Sequence, residues 1–265
     1  MDKNLAQIKS DYEQNGYVSG LKVIDKAQAA QHRLALETAE EKIGTLHYKP
    51  KIHTLLKSPY ELVTFPSVLD IVEQFIGHDI LLYNVTYIIK EPGSNSHVSW
   101  HQDLTYWGLS HDDQVSMWLA LSPATKESGC MRMVPGSHRN KALPHKNTHD
   151  QDNVLFQGQT VEGVSEEGSV LCPLQPGEAS FHHGWTLHSS APNTSNDRRI
   201  GLNVQFIAPH VRQLKQATDS ALLVRGTDNH YYYEKDTPAS CDIDIDALTK
   251  QAELETHYKS IAASS

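Results

Sequence analysis

The sequence lacks the cysteine pairs that would hold a structural zinc: Cys130, Cys172 and Cys241 are widely spaced and no C-x-x-C is present. So sparse and odd a set gives no disulfide framework and suits a reducing compartment. A nucleophilic cysteine has no supporting motif. No apolar run approaches the ~20 residues of a membrane span. Positive charge is in deficit, with 23 Lys and Arg against 32 Asp and Glu for a formal net charge of −9. That balance argues against a general affinity for nucleic acid or an anionic membrane, while leaving room for a local basic pocket. MDKNLAQIKSDYEQNGY carries no hydrophobic segment of signal-peptide type, and IAASS is not a peroxisomal tripeptide. A cytoplasmic enzyme or binding protein with a small-molecule ligand is therefore expected. No repeat, low-complexity tract or linker interrupts the 265 residues, and one domain with a sizeable core is expected over residues 1–265.

What is present divides into three stretches. Residues 1–77 read as mainly helical. LAQIKSDYEQNGYVSG stops near Asn15-Gly16, DKAQAAQHRLALETAEEKIG starts at a capping Asp25 and ends at Gly44, and FPSVLDIVEQFIG repeats apolar residues at helical spacing. From 78 to 228 the character changes to β-branched and aromatic runs, among them ILLYNVTYIIK, HVSWHQDLTYWG, VSMWLALSPA and RRIGLNVQFIAP, punctuated by PGS, ESG and APNTSND. Many short strands without intervening helices indicate an antiparallel sandwich or barrel. Residues 139–168, rich in His, Asn, Gln and Asp, read as a long loop, a feature uncommon in compact domains unless it serves a site. Residues 229–265 form a polar tail followed by a helix in DIDALTKQAELETHYKSIAA. HYYYEKD within that tail is either part of a lid or packing for the chain end.

Histidine, by contrast, is plentiful, and abundance dilutes any single motif. With 16 histidines and 32 acids in the chain, about two H-x-[DE] matches arise by chance. Two occur: His111-Asp112-Asp113 lies in a polar turn, whereas His101-Gln102-Asp103 lies in an apolar and aromatic run. On a strand, Ser99, His101, Asp103 and Thr105 would share one face. Such a pair serves equally as a metal-binding edge or as a histidine bonded to a core carboxylate. A second segment, FHHGWTLHSSAPNTSNDRRIGLNVQF, tips the balance. His188 and Ser190 share a face there, and Arg199, Gly201, Asn203 and Gln205 form the polar phase of the next strand. Arg198 falls in the apolar phase, so Arg199 is the arginine expected to line an internal pocket, where its fork suits a carboxylate. Two imidazoles and one carboxylate leave coordination positions open, as in non-haem Fe(II) oxygenases.

Over roughly residues 10–228, the chain resembles the phytanoyl-CoA dioxygenase family of Fe(II)/2-oxoglutarate-dependent oxygenases. The resemblance rests on YEQNGYV, WHQD, MWLALSPATKESGCMRMVPGSH, PGEASFHHGWTLHSS and NTSNDRRIGLNVQF, and on the spacing from His188 to Arg199. It implies a mainly β fold with flanking helices, a double-stranded β-helix or jelly roll. It implies Fe(II) held by His101, Asp103 and His188. It also implies that the distal carboxylate of 2-oxoglutarate is held by Arg199 with the Ser190 hydroxyl, and that O2 is the second co-substrate. Trp118 matches an aromatic beside this pocket, though a plain core role fits equally. Asn84 matches a polar residue near co-substrate or substrate, with a cross-strand hydrogen bond as the alternative. Halogenating relatives replace the acid by a small residue, so Asp103 implies hydroxylation of a C–H bond with release of succinate and CO2. The acidic balance leans toward a small polar substrate. A jelly-roll isomerase or hydrolase, or a non-catalytic binding protein, are the alternatives. His182, His183 and His138 are expected to be structural, and Arg132 and Arg225 to be salt-bridge partners.

Overall fold

Capping residues set the helix ends. In the computed structural model, which describes residues 4–263, α1 (Leu5–Asn15) begins at Asn4, whose side chain accepts from the Gln7 amide. It stops at Gly16, whose φ of +80° suits glycine and where a Cβ would collide with the His138 side chain. After β1 (Tyr17–Lys22), α2 (Lys26–Ile43) starts in a capping box between Asp25 and Gln28. α3 (Lys57–Val63) and α4 (Pro66–Ile76) follow, the latter with Pro66 in its first turn and Gly77 just past its end. The remaining elements are β2 (Ile80–Lys90), β3 (Val98–His101), α5 (Leu104–Trp107), β4 (Gln114–Ala120), β5 (Met131–Met133), β6 (Val170–Cys172), β7 (Glu178–His183), β8 (His188–Ser190), β9 (Arg199–Ile207), β10 (Ser220–Arg225), β11 (Glu234–Lys235) and α6 (Ile245–Ala263).

The strands form a seven-stranded sheet, β1-β7-β4-β9-β2-β10-β11, and a four-stranded sheet, β3-β8-β5-β6. Every pair is antiparallel except β10 with β11. One face of the large sheet, with Val85, Tyr87, Met117, Phe181, Leu202 and Val204, packs on Ile8, Tyr12, Leu36, Leu62, Val68 and Val72 of the helices. The other face turns toward the small sheet, and a cavity lies between them. β2 is buried along its whole length because both of its faces are covered. A register shift between Leu82 and Asn84 resets its phase, so that Asn84, Thr86 and Ile88 face the cavity. No helix among the described residues is long and apolar enough to cross a membrane.

Two expectations are revised. Residues 17–22, read within a helical region, form an edge strand paired to β7, because a six-residue alternation is too short to stand out beside helical neighbours. α3 also escapes the pattern, being only seven residues long. The 139–168 stretch is a loop as expected, with only short 3₁₀ turns. It lies along β3, where the Asn153 side chain donates to Ser99 Oγ (2.8 Å) and the Val161 amide to Trp100 O (2.7 Å).

Within HYYYEKD, Tyr231 and Tyr232 are exposed, while Tyr233 and Asp236 pack the chain end against the fold, held by buried charge. Lys51 donates to Ser220 O (2.6 Å) and to Asp236 Oδ2 (3.0 Å), while its amide donates to Asn84 Oδ1 (2.7 Å). Tyr233 packs on Tyr83, with ring centroids 6.0 Å apart. Burial opposes ionisation of Asp236, but Lys51 and His53 overcome it and hold its carboxyl below the usual range. A depressed folded-state value gives stability that is full above the unfolded carboxylate range and is lost as pH falls from there toward the folded-state value. Asp236→Ala leaves Lys51 buried and unpaired, and we expect a loss of about 3–5 kcal/mol in urea unfolding at neutral pH. A loss below about 1 kcal/mol would contradict this role for the pair.

Candidate active site

The two histidines meet because β3 and β8 pair. His101 lies opposite His188 in the ladder, with ring centroids 4.0 Å apart. β3 ends at His101, which corrects the expectation that Asp103 continues the strand. Asp103 is instead helical (φ −58°, ψ −45°) and opens the single turn α5, which Gly108 terminates. The turn folds the carboxylate back toward the imidazoles. Asp103 Oδ1 lies 3.4 Å from His101 Nε2 and 3.7 Å from His188 Nε2. The three residues are buried, and their donor atoms lie within 4.8 Å of one another. Among the described residues, no other trio of His, Cys, Asp or Glu meets that condition.

Surrounding groups fix which atoms face the centre. His101 Nδ1 is 2.9 Å from Ser99 O and 3.1 Å from His188 O, and His188 Nδ1 is 3.0 Å from Thr186 O. A carbonyl can only accept, so Nδ1 carries a proton in both rings and Nε2 is the nitrogen each turns to the centre. Ser116 Oγ donates to Asp103 Oδ2 (2.6 Å), and His182 Nε2 lies 3.2 Å from the same oxygen, leaving Oδ1 for the centre. Burial raises the cost of charging Asp103, yet the imidazoles of His101 and His182 hold its carboxyl well below the usual range. Burial, reinforced by His101 and His182, pushes His188 well below an ordinary imidazole. Two imidazole nitrogens and an ionised oxygen at this separation are the donor set a divalent transition metal needs, and the residues fit such an ion.

The same cavity, about 350 Å³, is lined by Trp118, Ser190, Arg199, Asn203 and Gln205. Arg199 is fully buried, lies 5.0 Å over the Trp118 ring and donates from Nη1 to Gly129 O. Among the described residues, its buried Nε has no hydrogen-bond partner. Burial pushes its pKa down to about 10, so it stays charged at neutral pH. An isolated buried guanidinium with an unused donor fits an anionic ligand. Gly201 is required beside it, since a Cβ there would run into the Trp118 indole. Lys90, across the ladder from Arg199, donates to Ser190 Oγ (2.8 Å), Ser190 O (3.1 Å) and Ala191 O (2.5 Å). Burial and Arg199 together pull its pKa down to about 6.

Residues 6–201 match the family model described as phytanoyl-CoA dioxygenase. The chain belongs to the phytanoyl-CoA dioxygenase family. Among relatives of this family member, the protein named "Probable alpha-ketoglutarate-dependent hypophosphite dioxygenase" from Stutzerimonas stutzeri is 30% identical over 149 residues, 56% of this chain and 52% of its own length. The 1-deoxypentalenic acid 11-beta-hydroxylase of Streptomyces arenae is 26% identical over 219 residues, 70% of this chain and 74% of its own. The chain spans about half the length of the first curated relatives it matches. A solved structure of the non-heme monooxygenase ThoJ superposes with a TM-score of 0.85 at 28% identity, covering 98% of each chain. The architecture of this phytanoyl-CoA dioxygenase family member is accordingly the jelly roll of the non-haem oxygenases.

Within this family member, all seven residues singled out from the sequence (Asn84, His101, Asp103, Trp118, His188, Ser190 and Arg199) line one cavity. Asn84 also accepts from the Lys51 amide across the fold and donates to Thr86 Oγ1 (3.2 Å) along its own strand. Arg198 turns outward to Glu40 (2.8 Å) and Glu91 (2.9 Å), as strand phase requires. His182 departs from its expected structural role by touching Asp103. The Trp185 amide donates to His183 Nδ1 (3.1 Å) and the His138 ring packs tilted against His183, so both stay structural. Arg132 pairs with Glu166, and Arg225 with Asp70 and Glu73. Lys90 and Ser116 were not singled out. The phase shared with Ile88 could have signalled Lys90, but Ser116 depends on the pairing of β4 with β7.

Proposed function

We propose that the chain is an Fe(II)- and 2-oxoglutarate-dependent dioxygenase that hydroxylates a C–H bond, consuming O2 and 2-oxoglutarate and releasing succinate and CO2. The observation that carries this reading is the presence, in one cavity, of a two-histidine, one-carboxylate donor set and a buried guanidinium with an unused donor. The names of the relatives agree with it.

His101 and His188, through Nε2, and Asp103, through Oδ1, would hold the metal. Three protein ligands leave open positions for co-substrate and O2. The bound iron supplies oxygen activation coupled to decarboxylation of 2-oxoglutarate. Arg199 takes the distal carboxylate, helped by the Ser190 hydroxyl, which Lys90 orients from behind. Trp118 flanks that carboxylate site, and Asn84 with Thr86 lines the route toward substrate. The carboxylate of Asp103, by resemblance, directs the outcome to hydroxylation and away from halogenation.

The test incubates the protein with Fe(II), 2-oxoglutarate, ¹⁸O-labelled O2 and a substrate panel. Substrate-stimulated succinate, with one labelled oxygen in the product, is expected. A jelly-roll isomerase or hydrolase, or a binding protein, would make none. Ser116 tests how the ligand is supported: it accepts from Gln114 Nε2 (3.0 Å) and donates to Asp103. Ser116→Ala is expected to weaken metal affinity about 10- to 100-fold, read as the Fe(II) concentration for half-maximal turnover.

A further inference from the structure

One wall of the cavity is left over once metal and co-substrate are assigned. It is built by Tyr48, Tyr106, Trp107, Leu155 and, from the C-terminal helix, Tyr258 and Ile261. The family match ends at residue 201, so α6 lies outside it. α6 is nevertheless fixed over the site. Gln251 Nε2 donates to Pro50 O (2.9 Å), Glu255 pairs with Lys49 (3.3 Å), and Lys215 Nζ bridges Tyr106 O (3.1 Å) and Ile261 O (3.4 Å). Gln251, Tyr258 and Ile261 fall seven and three residues apart, which places them on one helix face.

The charge inventory of this wall is short. Among the described residues, the Lys, Arg, Asp and Glu side chains lining the cavity are Asp103, Arg199 and Lys259. The first two are assigned to metal and co-substrate, and Lys259 Nζ lies 2.5 Å from Glu255. What remains of this wall is aromatic and aliphatic carbon with phenol hydroxyls, the carboxamides of Asn84, Asn203 and Gln205 lining the cavity beyond it. A charged group seated there would lose its hydration without gaining a partner. The volume, about 350 Å³, sits at the low end for ligand pockets and is shared with the co-substrate.

We propose that α6 is the specificity element of this oxygenase and that Tyr258, facing Tyr48 and Tyr106, receives an uncharged, apolar group of about single-ring size on the prime substrate. This rests on the oxygenase reading above, and it replaces the expectation of a polar substrate. Overall acidity is a property of the surface, whereas the pocket lining decides the substrate. The phenol hydroxyls orient a single polar atom on the inserted group, and the aromatic faces supply the contact area.

The test uses the whole protein loaded anaerobically with Fe(II) and 2-oxoglutarate, and equilibrium dialysis with p-cresol and its charged analogues 4-hydroxyphenylacetate and tyramine. The p-cresol dissociation constant is expected to be at least tenfold below both others. Tyr258→Ala is expected to raise it at least tenfold, and Tyr258→Phe less than threefold. If Tyr258→Ala fails to fold, Tyr258→Leu takes its place, with the same tenfold criterion. Equal binding of a charged analogue, absence of p-cresol binding, or an unchanged constant in the alanine or leucine variant overturns the proposal. Fe(II)-dependent 2-oxoglutarate binding by the wild-type protein is measured alongside. Its failure removes the oxygenase reading and this inference together, whereas its success beside a failed probe removes the inference alone.

Discussion

Asp103→Ala is expected to lower succinate formation by more than about 100-fold, the upper range for losing a group that merely supports a ligand. The carboxylate is the only anionic donor of the trio, and its Oδ1 lies within 3.7 Å of both free imidazole nitrogens. Removing it leaves two imidazole ligands and takes the acceptor from the Ser116 hydroxyl and from His182. Because α5 is a single turn ended by Gly108, neighbouring backbone has little reason to move. The variant should therefore remain folded, with an unchanged far-ultraviolet circular dichroism spectrum and little bound iron. His188→Ala should behave alike. Full 2-oxoglutarate consumption by either protein would remove these residues from the centre.

The second large effect is expected at Arg199. Truncating one partner of a buried, hydrogen-bonded charge pair costs about 2–5 kcal/mol, or about 30- to several-thousand-fold in affinity at 1.4 kcal/mol per decade. Arg199→Ala should raise the KM for 2-oxoglutarate by that factor while iron content holds. Arg199→Lys keeps the charge but loses the planar fork, and should fall between the two. The substitution also takes a donor from Gly129 O and a stacking partner from Trp118. An increase confined to the prime substrate's KM would place the carboxylate site elsewhere.

How legible the site was depended on whether period-two phase could reach it. Arg199 and Arg198 are adjacent, yet one is buried over Trp118 and the other pairs with Glu40, as alternation requires. His101 and Asp103 met for a reason phase could not foresee. The strand stops at His101, and a helical turn does the work assigned to alternation. Residues whose role arises from tertiary pairing were out of reach. Ser116 reaches Asp103 through the packing of β4, and Tyr258 reaches the cavity from a helix 155 positions beyond Asp103. Caps were the most local signals, and Asp25, Gly16 and Gly77 sit where their chemistry placed them. The six residues of β1 were lost because so short an alternation is drowned by the helices around it.

The central claim is that one cavity holds a metal and a dicarboxylate together. Anaerobic calorimetric titration of the protein with 2-oxoglutarate, with and without Fe(II), tests it most directly. The account predicts saturable one-to-one binding that strengthens at least tenfold when Fe(II) is present and is lost in Asp103→Ala. Binding that is indifferent to Fe(II), or that survives in Asp103→Ala with full affinity, would contradict it.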